Sequence, residues 1–291
     1  MARLFRAFRG ACDPLEAKSS KTMPKEEGQH HDFARLNQAK AFAHVPISGY
    51  QVGAVLITAR GRVFLGANLE FPGQPLSTAV HAEQAALAAA LMAGEQSFAR
   101  LDVSAPPCGH CRQFLREFDR GGLGIRILAA ETAPATSTLD HLLPQAFGGE
   151  YFSSGLNASE ARLPELPDKE WAAAAREALA RSHAPYSGNR AVAVLAGGKR
   201  LFITGASLEN AAFNPSLGPM QCALSQWRMA GHDFKHIEAA WLVQSDTRRV
   251  DWELQSRELL ASVGVPGTTR PGPAAAEGCT FDAAHRVLRL R

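Results

Sequence analysis

Two stretches set both the fold and the chemistry: His81-Ala82-Glu83, which opens the run Gln84-Ala85-Ala86-Leu87-Ala88-Ala89-Ala90-Leu91-Met92, and Pro107-Cys108-Gly109-His110-Cys111, which opens Arg112-Gln113-Phe114-Leu115-Arg116-Glu117-Phe118. Ala82 to Met92 is almost all strong helix formers and stops at Gly94. Cys111 to Phe118 carries Phe114, Leu115 and Phe118 at helical spacing and stops at Gly121-Gly122. Each stretch therefore reads as a helix that begins on reactive side chains. One imidazole (His81) and two thiolates (Cys108, Cys111) suit zinc, which takes nitrogen and sulfur ligands in a tetrahedron; a catalytic site keeps three protein ligands and one open position. Helix N-termini favour the thiolates that zinc requires. Glu83 lies two residues after His81 and does not share its helix face. That is the place of a general acid/base rather than of a ligand. The competing reading, a closed structural site with His110 as fourth ligand, leaves Glu83 without a role.

Outward from these stretches, Asp32 to Ala43 reads as a helix. Gln51 to Thr58 and Val63 to Ala67 read as strands joined at Arg60-Gly61, a hairpin. Arg100 to Ser104 and Gly124 to Ala129 are further strands. Strands alternating with helices predict an α/β sheet with parallel pairing through crossover helices. Ligands in such sheets gather beyond the carboxyl ends of strands, where both metal segments fall. Glu131 to Leu166 is rich in Ala, Pro, Ser and Gly and reads as a connection, with one firm patch from Leu142 to Gly148. Asp168 to Ser182 reads as a helix, Ile237 to Val243 as a strand, Trp252 to Val263 as a helix, Pro266 to Pro273 as a loop and Arg286 to Leu290 as a short strand.

The second half repeats the first. His183-Ala184-Pro185-Tyr186-Ser187-Gly188 echoes His44-Val45-Pro46-Ile47-Ser48-Gly49, and Gly205-Ala206-Ser207-Leu208-Glu209 echoes Gly66-Ala67-Asn68-Leu69-Glu70, both at an offset of 139 residues. Held at that offset, the counterparts of His81 and Glu83 are Met220 and Cys222; with one inserted residue they are Gln221 and Ala223. Either way the second copy has neither His-x-Glu nor Cys-x-x-Cys, so it is a degenerate copy in which Cys222 and Cys279 serve as small core residues. The expected organisation is a tail over residues 1–30, a catalytic domain over 31–150, a linker over 151–167 and the degenerate domain over 168–291.

The 291 residues suffice for two ordinary cores. The composition is globular, and a formal net charge of +3 with no long basic run gives no argument for nucleic acid. No stretch is long and apolar enough to span a membrane. Five cysteines, an odd number with two committed to metal, point to a reducing compartment and a cytoplasmic location. Residues 1–22 begin basic and amphipathic; a plain tail is preferred over an organelle-targeting segment. His30-His31 sits in a polar stretch and reads as solvated.

The arrangement resembles cytidine deaminase, specifically the long tandem-domain type. The resemblance is carried by Gly66-Ala67-Asn68-Leu69-Glu70-Phe71, by His81-Ala82-Glu83-Gln84, by Pro107-Cys108-Gly109-His110-Cys111-Arg112-Gln113-Phe114, and in the second half by Glu209-Asn210-Ala211-Ala212-Phe213-Asn214-Pro215. The second and third of these contain H-x-E followed by P-C-x-x-C, the signature of zinc nucleobase deaminases. The resemblance implies a three-layer α/β/α core duplicated in tandem, hydrolytic deamination of cytidine and 2′-deoxycytidine, one zinc on His81, Cys108 and Cys111, and Glu83 as proton shuttle. It implies substrate contacts at Asn68, Leu69, Glu70, Tyr50 and Ala82, with Asn68 and Glu70 on the ribose hydroxyl. It also implies a homodimer in which Phe147 and Phe213 close a partner's pocket over the base. Tyr50 stands where relatives carry Phe, which alters the base-edge contact. Two alternatives stay open at this point: a polynucleotide cytosine deaminase, which needs a basic or aromatic groove, and an inactive zinc scaffold, which would have no use for Glu83.

Overall fold

A Val- and Ile-rich run, a turn and a second apolar run make the hairpin that starts the first sheet: β1 (Gly53–Thr58) and β2 (Val63–Ala67) pair antiparallel, Gly53 opposite Ala67 and Ile57 opposite Val63. The computed structural model describes residues 25–119, 122–129, 134–148, 166–198, 200–245, 249–265, 279–282 and 287–290, without the side chains of 25–31 and 279–290. Helix α1 (Lys25–Lys40) precedes the hairpin. It begins inside the stretch read as a tail and ends three residues before Ala43. Then come α2 (Ala82–Met92), β3 (Phe98–Val103), α3 (Gly109–Phe118) and β4 (Gly124–Ile127). Two short elements, β5 (Ala135–Thr138) and α4 (Leu139–Leu142), lie within what reads in sequence as a connection. Most of their residues are polar or exposed, so no apolar alternation marks them.

The sheet order is β2-β1-β3-β4-β5. The expectation of parallel pairing across both crossover helices needs correction. β3 pairs antiparallel with β1, and only β3 and β4 pair in parallel. The helix α2 carries the chain across β1, so β3 lands on the far side of the hairpin instead of beside β2. The pairing register sorts the two faces. Val55 and Ile57 on β1, with Val63 and Leu65 on β2, pack against Phe33 and Leu36 of α1. On the same face Asp102 of β3 lies opposite Arg126 of β4. Arg126 grips it through two hydrogen bonds (2.7 and 2.6 Å) and reaches Asp32 of α1 at 2.6 Å. Asp102 is 1% exposed, and a carboxylate buried that deeply needs such a two-pronged partner.

The opposite face is apolar and takes α2. At Gly66 the helix lies directly on the strand: a Cβ there would collide with the Ala82 carbonyl oxygen and the Ala86 nitrogen. The alanines of α2 are small for the same reason, and every residue of the helix but Leu91 is buried. A helix buried on all sides belongs between layers. It stops at Gly94, which has the positive φ (83°) of a helix C-terminal glycine.

The chain forms two compact units, Met1–Leu69 with Val80–Ala146, and Glu70–Ala79 with Phe147–Arg291. The second unit contains α5 (Glu170–Leu179), β6 (Ala191–Gly197), β7 (Leu201–Ala206), α6 (Pro219–Met229), β8 (Ala239–Gln244), α7 (Glu253–Ser262), β9 (Cys279–Asp282) and β10 (Val287–Leu290). Its sheet order is β7-β6-β8-β10-β9. Here β10 runs antiparallel to β8, where the first copy has a parallel pair, and β9 pairs with β10 at the edge. α5 covers one face, with Trp171 stacked on Trp241 of β8 (5.1 Å, 4°). α6 covers the other, again seated on a glycine, Gly205, whose Cβ would meet Ala223. The stretch 266–273 lies outside the described residues, as do residues 1–22 and nearly all of the linker 151–167. Among the described residues no helix is long and apolar enough to cross a membrane.

The repeat alignment is corrected past the second strand. The pair Leu69 and Val80 has its counterpart in Leu208 and Leu217, so the intervening loop is two residues shorter in the second copy. From there the offset is 137: Gly94 (φ 83°) matches Gly231 (φ 84°), and the residue preceding each helix is His81 or Gly218. The counterparts of His81 and Glu83 are thus Gly218 and Met220, not Met220 and Cys222.

Replacing Gly66 by Ala should force α2 off the sheet, costing about 1–3 kcal/mol as overpacking does, and should lower both the thermal midpoint and the metal content. Gly122→Ala, where the added methyl meets open space, is the control. Equal calorimetric midpoints for the two variants would contradict the direct seating of helix on strand.

Candidate metal centre

The N-termini of α2 and α3 deliver the reactive side chains. His81 is the residue before α2, and its backbone N–H donates to Gln84 Oε1 (3.1 Å), which ties down the first turn. Cys108 is the residue before α3, and its Sγ accepts the Cys111 N–H at 3.4 Å. Arg112 locks the approach to α3, its Nε donating to the Pro107 carbonyl (2.8 Å) and its Nη1 to the Leu142 carbonyl (2.9 Å). Sequence reasoning passes over Arg112; the one available signal is its place directly after the second cysteine.

His81 Nδ1 stands 3.5 Å from Cys108 Sγ and 3.2 Å from Cys111 Sγ. Zinc bonds of about 2.0–2.1 Å to nitrogen and 2.3 Å to sulfur, at tetrahedral angles, place those donors about 3.5 Å apart. The three groups therefore fit zinc in distance as well as in kind. His110 also belongs to the cluster, the four candidate ligand atoms all lying within 4.8 Å of one another, with its ring 5.5 Å from that of His81. It is the only such group of His, Cys, Asp and Glu among the described residues.

The electrostatics separate the two thiols. Cys108 is pulled down to about 3 by hydrogen bonding with Cys111 and His81, whereas Cys111, sharing its proton with Cys108 and buried, is pushed well up. Without metal one thiolate is thus already formed. His81 is raised, chiefly by its bond to Cys108. Glu83 is 4% exposed and hydrogen-bonds Cys111, and burial pushes its carboxyl up. A carboxyl raised in this way, beside the His81–Cys108–Cys111 cluster, is suited to both taking and giving a proton.

The remaining predicted site residues are placed as follows. Ala82 is buried as the first residue of α2. The Asn68 amide spans the start of β1, its Oδ1 accepting from Val52 N–H (2.8 Å) and its Nδ2 donating to the Tyr50 carbonyl (2.9 Å). An amide has two sites at each end, so one remains at each. Leu69 is a core side chain whose N–H and carbonyl both pair with Val80. The Tyr50 side chain is 63% exposed. Glu70, Phe147 and Phe213 belong to the second unit. Phe147 is 39% and Phe213 60% exposed, so neither is a core residue. Phe213 takes a positive φ of 60° and has its ring 6.0 Å from that of Tyr186.

The second copy is closed where the first is reactive. Any Cβ on Gly218, the counterpart of His81, would lie 2.6 Å from Gln255 Oε1 and 3.1 Å from the Trp252 ring. Glu209, the counterpart of Glu70, is buried and accepts from the backbone N–H groups of Tyr186 (2.9 Å) and Ser187 (3.0 Å) and from the Ser187 hydroxyl. Ser207, in place of Asn68, keeps the strand contact by accepting from Ala191 N–H at 3.2 Å. Cys222 is buried, and burial drives its thiol up to about 12. The side chain of Cys279 lies outside the described residues, as do those of His30 and His31.

Two stretches, residues 27–122 and 139–257, match the cytidine and deoxycytidylate deaminase zinc-binding region. The cytidine deaminase of Vibrio cholerae is 40% identical over 221 residues, 75% of this chain and 74% of that protein. That of Photorhabdus laumondii is 36% identical over 260 residues, 86% of each. Among solved structures, cytidine deaminase from Burkholderia pseudomallei covers 43% of this chain and 100% of its own at 31% identity, with a TM-score of 0.39. With both copies matching that zinc-binding region, and with relatives this similar over most of their length, the chain belongs to the cytidine deaminase family.

Proposed function

We infer that this chain is an enzyme that hydrolytically deaminates cytidine and 2′-deoxycytidine to the uridine products, releasing ammonia, and that Glu83 is its proton shuttle. The observation that carries the role of Glu83 is its place: a nearly buried carboxyl on the first turn of α2, hydrogen-bonded to Cys111, with its pKa raised by burial. His81, Cys108 and Cys111 would hold the zinc. When bound there, zinc lowers the pKa of a water towards neutrality and supplies the nucleophile. Glu83 accepts the proton of the attacking water and gives it to N3 of the base as oxygen adds at C4. It then moves a proton to the exocyclic amino group, which departs as ammonia. Asn68 and Glu70 hold the ribose, with one acceptor and one donor site still open on the Asn68 amide. A polynucleotide substrate is not favoured by a net charge of +3.

The chain would work as a homodimer in which Phe147 and Phe213 cover the base in the partner's pocket. The exposure of both rings supports this, as does the left-handed backbone at Phe213, a conformation rarely held without a purpose. The reaction fits pyrimidine salvage in a reducing, cytoplasmic compartment.

Purified protein should release ammonia from cytidine and carry one zinc per chain. Glu83→Gln should keep the metal and lose activity by at least the roughly 10²–10⁴-fold typical of general acid/base groups; activity within a few-fold of the parent would remove Glu83 from the mechanism. In zinc-free protein, iodoacetamide should alkylate Cys108 before Cys111. Because the Cys108 pKa lies at about 3, its thiolate is fully formed well below neutral pH, so the thiolate population should stay flat from mildly acidic to mildly basic conditions. Peptide mapping that shows labelling rising steadily through the basic range, as for an ordinary thiol, would contradict the assignment. Finally, mixing Glu83→Gln chains with Phe213→Ala chains should restore activity in part if the lid is donated across the dimer. Confirmed heterodimers that recover nothing would argue against donation.

A further inference from the structure

We propose that Gln221, in the second copy, is a positioning residue for the deaminase site. It acts by holding the segment Glu70–Ala79, which joins Asn68 and Leu69 to Val80 and His81. The proposal rests on the reading of those residues as the substrate and metal site.

Leu69 and Val80 pair through both backbone hydrogen bonds, Leu69 N–H to the Val80 carbonyl (2.8 Å) and the reverse (2.9 Å). Asn68 lies one residue before this pair and His81 one residue after it. Any shift of the segment between them therefore pulls on Glu70 directly and on both neighbours through the pair. The segment fixes its own shape by local turns: Gln74 N–H donates to the Phe71 carbonyl (3.1 Å), Thr78 N–H to the Pro75 carbonyl (2.9 Å) and the Thr78 hydroxyl to the same carbonyl (2.7 Å). Local turns set a shape and not a location.

The location comes from the second copy, with which this segment forms one compact unit. Gln221 Nε2 donates to the Thr78 carbonyl at 2.8 Å, and Gln74 Nε2 donates to Glu258 Oε2 of α7 at 2.8 Å. Gln221 is 4% exposed, and its other end is occupied as well, Oε1 accepting from Gly218 N–H at 2.9 Å. The amide cannot turn over without breaking both bonds. Its counterpart in the first copy, Gln84, makes the same cap with His81 N–H. The second copy keeps the same cap, and there the amide nitrogen also holds the segment at Thr78. Ordering a binding segment beforehand lowers the cost of binding. Its loss should therefore weaken substrate binding in the ground and transition states alike, which raises KM and leaves kcat in place.

The experiment compares four proteins: the parent, Gln74→Met, Gln221→Met and Gln221→Glu. Gln221→Glu retains an oxygen for the Gly218 cap but replaces the donor to Thr78 by an acceptor; Gln74→Met leaves α6 untouched. Each should raise KM for cytidine about three- to tenfold, the effect of one buried hydrogen bond, with kcat within about twofold and zinc unchanged from the parent. Hydrogen exchange should quicken in residues 70–79 in every variant. A parent that turns over cytidine alongside variants of unchanged KM overturns the proposal alone, as does a loss confined to kcat or to zinc. A parent that releases no ammonia overturns the functional reading, and the proposal falls with it.

Discussion

The contact on which the first copy depends is between backbones: α2 lies on β2 at Gly66 with no side chain between them. That contact sets the height of the helix above the sheet, and with it the position of His81 and Glu83. Cys108 and Cys111 are set from the same sheet, because β3 is registered on β1 with Val103 opposite Ala54, a few residues before Cys108. Both halves of the centre thus hang from rigid elements, which is what brings nitrogen and sulfur within a few tenths of an ångström of zinc geometry. The same seating recurs at Gly205, in a copy with no cluster of metal-ligating side chains among its described residues, so it is a requirement of the fold first and of the chemistry second.

The two faces of that sheet divide the labour. One carries a charged network, Asp102 gripped by Arg126 and joined to Asp32; the other is apolar and carries the reactive helices. The burial that raises Glu83 is a by-product of an alanine-rich helix pressed between layers. The low-dielectric setting around Glu83, which its proposed role calls for, follows from close packing, with no dedicated residue.

Much of this is legible in sequence because the signals are local. The span of α2, the hairpin and the metal motif all rest on composition or spacing within a dozen residues. What stays hidden is non-local or unmarked. The antiparallel pairing of β3 with β1 depends on where a crossover helix lands. β5 and α4 are too short to show a period. The start of α1 at Lys25 lies in a polar stretch with little apolar stripe. The repeat offset slips because a two-residue shortening in an irregular loop leaves no trace until the bridge of Leu208 with Leu217 is seen. Of the site, Leu69 reads in sequence as part of a binding motif, but its side chain and both of its backbone hydrogen-bonding groups are engaged by the fold.

The packing around Gly218 sets how many changes a metal centre in the second copy would need. With Trp252 and Gln255 beside Gly218, a metal centre in the second copy could not be built by a single substitution. An imidazole at 218 would have to shift the Gln255 side chain and crowd the Trp252 ring, a carboxylate at 220 would be buried, as Met220 is, and two cysteines would be needed on a different segment.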